Sequence, residues 1–62
     1  MEKWMAENLE KLKKCVGNTA MENLSAEERR TLEWLAGWDY STIENMCSII
    51  EKAKKFAMLT KP

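Results

Sequence analysis

Helical periodicity is the feature that most limits what this chain can fold into. Residues 2–16 carry apolar side chains at the i, i+4, i+7, i+11 spacing of one helix face, as Met5, Leu9, Leu12 and Val16. No segment alternates apolar and polar residues as a half-buried strand does, and the sequence contains no Gly-rich loop or internal repeat. The sequence therefore predicts an all-α fold.

Two further helices are indicated by capping boxes, in which a Ser precedes a helix and a Glu stands three residues later. Ser25 with Glu28 predicts a helix over residues 26–37, and Ser41 with Glu44 predicts one over residues 42–59. Gly17 and Asn18 supply a left-handed stop after the first helix, and the connector that follows has room for one helical turn at residues 19–22. The predicted single domain, residues 1–62, is a compact three-helix bundle or a helical hairpin with a packed N-terminal helix.

The third predicted helix has a broad apolar face. This face consists of Met46, Ile49, Ile50, Ala53, Phe56 and Ala57, with Ile43 and Cys47 at its edge. The sequence predicts that this face packs against the other two helices.

The length of the chain favours association with another copy. A domain of 62 residues buries only about 60% of the surface of its unfolded chain, so it is marginally stable alone. Two cysteines, Cys15 and Cys47, and no histidine are too few for a disulfide scaffold or a zinc site. Both are predicted to be buried small apolar residues, and a regulated or intermolecular disulfide is the alternative. The remaining stabiliser is a partner chain, and we predict a homo-oligomer, most simply a dimer.

The charge pattern favours a protein partner over nucleic acid. Ten acidic and ten basic residues cancel, but residues 18–44 hold six acids against two arginines, for −4, and residues 45–62 hold four lysines against one acid, for +3. DNA-binding domains usually show a net basic surface. A polarised chain without net charge indicates protein–protein contact.

The start of the chain carries no targeting signal. Met1 is followed by charged residues, and no apolar run approaches the length of about 18 residues that a membrane span requires. We therefore expect a cytoplasmic protein with reduced cysteines and no membrane contact.

Enzymatic activity is not predicted. The chain lacks histidine, the commonest general base near neutral pH, and no Ser or Cys has a recognisable activating partner in the sequence. The carboxylates mostly pair with lysines at helical spacing, which is typical of solvated helix faces. No catalytic residue, cofactor or metal site is assigned.

The segment LEWLAGWDYSTIENM, residues 32–46, has two interpretations. In the first, Gly37, Trp38, Asp39 and Ile43 resemble the turn and second helix of a helix-turn-helix motif, and residues 24–32 are similar to the opening helix of sigma-factor-like DNA-binding domains. That resemblance, over residues 32–50, implies DNA contact through the exposed side of the third helix, with candidate residues Thr42, Asn45, Ser48 and Lys52.

The sequence departs from that motif where DNA would be contacted. Glu33 and Glu44 stand where small residues are usual, and the start of the third helix is acidic, although recognition helices contact bases near their N-terminal ends. DNA binding is therefore the alternative interpretation.

In the second interpretation, the segment is a packed corner between two helices. Trp34 and Trp38, four residues apart, share one face, and Trp38 is predicted to be mostly buried against the third helix or a second chain. Three tryptophans exceed what so small a core covers, so part of the apolar surface is expected at an interface. The candidate interaction residues are Trp4, Met5, Trp34, Trp38, Tyr40, Phe56 and Met58.

A second resemblance agrees with this interpretation. Residues 29–38, RRTLEWLAGW, followed by residues 42–45, TIEN, resemble short helical accessory proteins of prophages and mobile elements in Gram-positive bacteria. The resemblance implies a function in binding and inhibiting or redirecting a host protein, for example a defence nuclease.

Overall fold

The computed structural model describes residues 1–60, with side chains described through residue 57, and forms four helices. The helices are α1 (Lys3–Val16), α2 (Asn18–Glu22), α3 (Ala26–Leu35) and α4 (Tyr40–Thr60). The all-α class is confirmed, since residues 1–60 contain no strand. The helical turn predicted in the connector is the five-residue helix α2.

The central helix is α1, which contacts each of the other three helices. Helix α3 runs antiparallel to α1. Near the start of α3, Arg29 lies close to Lys13, which is late in α1. Just after the end of α3, Gly37 lies close to Met5, which is early in α1: the terminal methyl of Met5 is 3.4 Å from the position that a Cβ would take on Gly37. Helix α4 runs in the same direction as α1, because Tyr40 contacts Lys11 and Lys54 donates to the carbonyl of Cys15. The helices α3 and α4 therefore flank α1 with opposite directions.

Local signals set most of the helix ends. Gly17 has φ +95°, a conformation that L side chains rarely adopt, and its N–H donates to the Lys13 carbonyl over 2.9 Å. The predicted capping box of α3 is confirmed, with Glu28 N–H donating to Ser25 Oγ over 3.1 Å and Ser25 N–H donating to Glu28 Oε1 over 2.7 Å.

The predicted start of the last helix is wrong by two residues, because Asp39 rather than Ser41 precedes it. The Asp39 carboxylate accepts hydrogen bonds from the hydroxyls of Ser41 at 2.5 Å and Thr42 at 2.6 Å. Its backbone carbonyl accepts the N–H of Ile43 at 3.2 Å, the first bond of the helix ladder. Ser41 therefore lies inside α4. Its hydroxyl donates a hydrogen bond to Asp39 instead of forming a capping box with Glu44.

The core is small and draws on every long helix. It comprises Leu12, Leu32, Ala36, Ile43 and Cys47. Leu12 and Ile43 are completely buried, and Leu12 of α1 belongs to the apolar stripe predicted for that helix. No helix within the described part of the chain is long and apolar enough to cross a bilayer.

The predicted core face of the last helix is wrong by a rotation about the helix axis. The side of α4 that meets α1 carries Ile43 and Cys47, whereas Ile49 is 65% exposed and Ala53, Phe56 and Ala57 are also exposed. Only Met46 and Ile50 of the predicted face are half-buried. The apolar surface of α4 is broader than the single neighbouring helix covers, so one edge of it packs and the other faces outward.

Two isoleucines on α4 allow a matched test of this orientation. We expect Ile43→Ala to lower the free energy of unfolding by about 3 kcal/mol, because it leaves a cavity in the core. Ile49→Ala removes the same atoms from an exposed site and should cost less than about 1 kcal/mol. Urea unfolding of the two variants measures both losses, and equal losses would contradict the orientation of α4.

Candidate functional site

The corner between α3 and α4, residues 36–39, is held by one buried side chain of α1. The Nδ2 group of Asn8 donates hydrogen bonds to the carbonyl oxygens of Ala36 and Trp38, each over 3.1 Å. Carbonyls at the end of a helix have no partner within the helix, and burying them unpaired is costly. Asn8, only 6% exposed, satisfies two of them and fixes the path of the corner.

Two tryptophans form an exposed aromatic pair at this corner. The rings of Trp34 and Trp38 meet edge to face, with centroids 5.5 Å apart and an interplanar angle of 82°. The predicted shared face is confirmed. Burial of Trp38 against α4, one half of the prediction, is wrong, because the residue is 46% exposed. Its burial against a second chain stays a prediction. Its backbone carbonyl accepts a hydrogen bond from Asn8 of α1.

A groove of about 220 Å³ lies at the same end of the molecule, between Trp4 of α1 and Tyr40 of α4. Asn8 borders it, together with Glu7 and Lys11. The Lys11 ammonium lies 3.4 Å from the Tyr40 hydroxyl and 5.1 Å from the centre of the ring. The hydrogen bond to Tyr40 raises the pKa of Lys11, so its charge persists at the groove.

The structure brings together most of the predicted interaction residues. Trp4, Trp34, Trp38 and Tyr40, all exposed, lie at one end of the molecule and are called the corner surface below. Met5 is half-buried, with its methyl group against Gly37. Phe56 lies 16 residues after Tyr40 on α4, about 24 Å along the helix, so it is not part of this surface. The side chain of Met58 lies outside the described residues.

The residues proposed for DNA contact do not form one free polar face. The Thr42 hydroxyl donates to Asp39, and Ser48 is half-buried beside the two cysteines. Asn45 and Lys52 are exposed. The hydroxyls of Ser41 and Thr42 lower the pKa of Asp39, which keeps a negative charge at the N-terminal end of α4, where a phosphate would otherwise be attracted.

The corner surface differs in composition from the rest of the described surface around it. Among the described residues, no three His, Cys, Asp or Glu side chains converge as metal ligands would. A larger open depression of about 500 Å³ runs along α1 and is bordered mainly by charged side chains: Lys3, Glu7, Glu10, Lys11 and Lys14. The corner surface instead combines apolar area with a rigid backbone.

Comparisons with protein-family models, curated proteins and solved structures find no match for this chain. The resemblances to accessory proteins of prophages and to helix-turn-helix domains therefore stay predictions.

Sequence reasoning missed Asn8, the residue that builds the site. Its signal was its place on the helix, three residues after Met5 and four before Leu12, next to the apolar stripe of α1. A polar side chain at that position either lies at the edge of the stripe in water or binds a buried backbone group. The structure shows the second outcome.

Replacing Asn8 by Asp tests the role of the amide with almost no change in shape. The carboxylate cannot donate and would face two carbonyl oxygens, so we expect a loss of about 2–3 kcal/mol in the free energy of unfolding near pH 7. Asn45→Asp is the matched control at an exposed site and should change the free energy of unfolding by less than about 0.5 kcal/mol. Similar urea midpoints for the two variants would show that Asn8 does not hold the corner.

Proposed function

We propose that this protein acts by protein–protein contact and that the corner surface is its contact site. The observation that carries the proposal is the exposed edge-to-face pair of Trp34 and Trp38 on a backbone fixed by Asn8. Tryptophan and tyrosine are enriched at interfaces because they bury a large area at a small cost in side-chain entropy. An already rigid corner lowers that cost further.

The total surface of the chain supports a contact of this kind. Its accessible area is 4997 Å², whereas a monomer of 7.2 kDa is expected to expose about 4,100 Å². Trp4 and Tyr40 widen the apolar area beyond the tryptophan pair.

The first partner we propose is a second copy of the chain. A domain of 62 residues is marginally stable alone, which favours association with another copy. In the wider proposal, the chain is a cytoplasmic accessory protein of a phage or mobile element that binds and modulates a host protein through the same surface. The resemblance of residues 29–45 supports that wider proposal.

Self-association can be tested on the tryptophan pair. We expect the native protein to be dimeric at micromolar concentration and the Trp34→Ala, Trp38→Ala double variant to be monomeric, because the variant loses the centre of the contact. Light scattering after size exclusion measures the mass, and circular dichroism checks that the helices remain.

The control for this experiment is Phe56→Ala, which removes an exposed aromatic side chain outside the corner surface and should leave the dimer intact. A native protein that stays monomeric at high concentration would contradict self-association. A dimer lost only with Phe56→Ala would place the contact on α4.

The DNA-binding alternative has its own test. Because Asp39 and Glu44 lie in the first turns of α4 and the net charge is zero, we expect no measurable binding to a DNA duplex at physiological salt. Submicromolar binding that weakens steeply with salt and disappears when Asn45, Ser48 and Lys52 are changed to Ala would favour the alternative. Fluorescence anisotropy of a labelled duplex is a suitable measurement.

A further inference from the structure

The two cysteines of this chain meet between α1 and α4. Cys47 is buried on the core side of α4, and its Sγ lies 3.8 Å from the carbonyl oxygen of Lys11. Within α1 that carbonyl belongs to the turn that precedes Cys15, four residues later. Both cysteines border the same small cavity.

We propose that Cys15 and Cys47 form a dithiol site that a low-molecular-weight disulfide, such as oxidised glutathione, converts into an intramolecular disulfide between α1 and α4. Both thiols are free in this structure. The proposal rests on their contact across the helix interface and is independent of the function of the corner surface.

The order of the two steps follows from the burial of each thiol. Cys15 is half-buried and Cys47 is buried, so the oxidant reaches Cys15 first. The Cys15 thiolate attacks one sulfur of the oxidant and releases one thiolate, which leaves a mixed disulfide. The Cys47 thiolate then attacks the Cys15 sulfur and releases the second thiolate. Two protein thiols are oxidised, one disulfide is reduced to two thiols, and the two thiol protons end on the released molecules.

The second step depends on pH. Burial, the largest cause, raises the pKa of the Cys47 thiol to about 11. The charged groups around the cavity are Lys11 and Lys14 on α1 and Glu44 and Glu51 on α4. Burial of Cys47 persists after Cys15 has become a mixed disulfide, so the fraction of Cys47 thiolate, and with it the rate of ring closure, should rise with pH between 7 and 9.

The test is oxidation of the reduced protein with excess oxidised glutathione, followed by intact mass measurement and a non-reducing gel. We expect a monomeric product that has lost two hydrogen atoms and carries no glutathione. The new link closes a loop between residues 15 and 47, so the melting temperature should rise by about 10 °C and return to its former value with dithiothreitol.

Two single variants separate the roles of the thiols. Cys47→Ser should stop at a glutathione adduct on Cys15, because the second thiol is missing. Cys15→Ser should react with oxidised glutathione far more slowly than the native protein or Cys47→Ser, because its remaining thiol is buried. A covalent dimer, a native protein that stops at the glutathione adduct, or a native protein that does not react would each overturn the proposal.

Discussion

The hydrogen bonds of Asn8 are the interaction on which the rest of this structure depends. A single primary amide has two N–H groups, and both are used here, on the carbonyls of Ala36 and Trp38. Ala36 is completely buried in the core and Trp38 carries half of the exposed aromatic pair. One buried side chain therefore links the packing of the core to the presentation of the corner surface.

The small core explains why so much apolar surface remains outside. Among the residues whose side chains are described, 1–57, five apolar side chains are buried, and they come from α1, α3, the corner and α4. The main contacts of α4 in the described part of the chain are with α1, so one edge of the apolar face of α4 is covered and Ile49 is left exposed. A fold with one central helix can bury one stripe of each neighbour and no more. Apolar residues beyond those stripes remain available to a partner.

Features that depend on neighbouring residues along the chain could be predicted from the sequence. The α1 stripe through Leu12, the capping box at Ser25 and the stop at Gly17 follow from helix geometry and backbone preference. The pairing of Trp34 with Trp38 was expected from their four-residue spacing, although α3 ends at Leu35 and Trp38 lies in the corner. The five-residue helix α2 was predicted as one helical turn, because the connector between the first two predicted helices has room for one.

Features that depend on tertiary neighbours could not be predicted. The sequence offers two residues that can cap the last helix, Asp39 and Ser41, and the choice between them depends on how the corner is held. The apolar face of α4 is broad, so periodicity could not decide whether Ile43 or Ile49 is buried. Asn8 was missed because its acceptors lie 28 and 30 residues away.

The central position of α1 also has a consequence for the kinetics of folding. Its contacts with the corner and with α4 join residues separated by 28 to 39 positions. Closing such loops costs chain entropy before any of these contacts forms. The first half of the chain lacks Ala36, Ile43 and Cys47 and so has no core of its own. Folding should therefore be a single cooperative event that waits for the start of α4, with α1 only transiently helical until then.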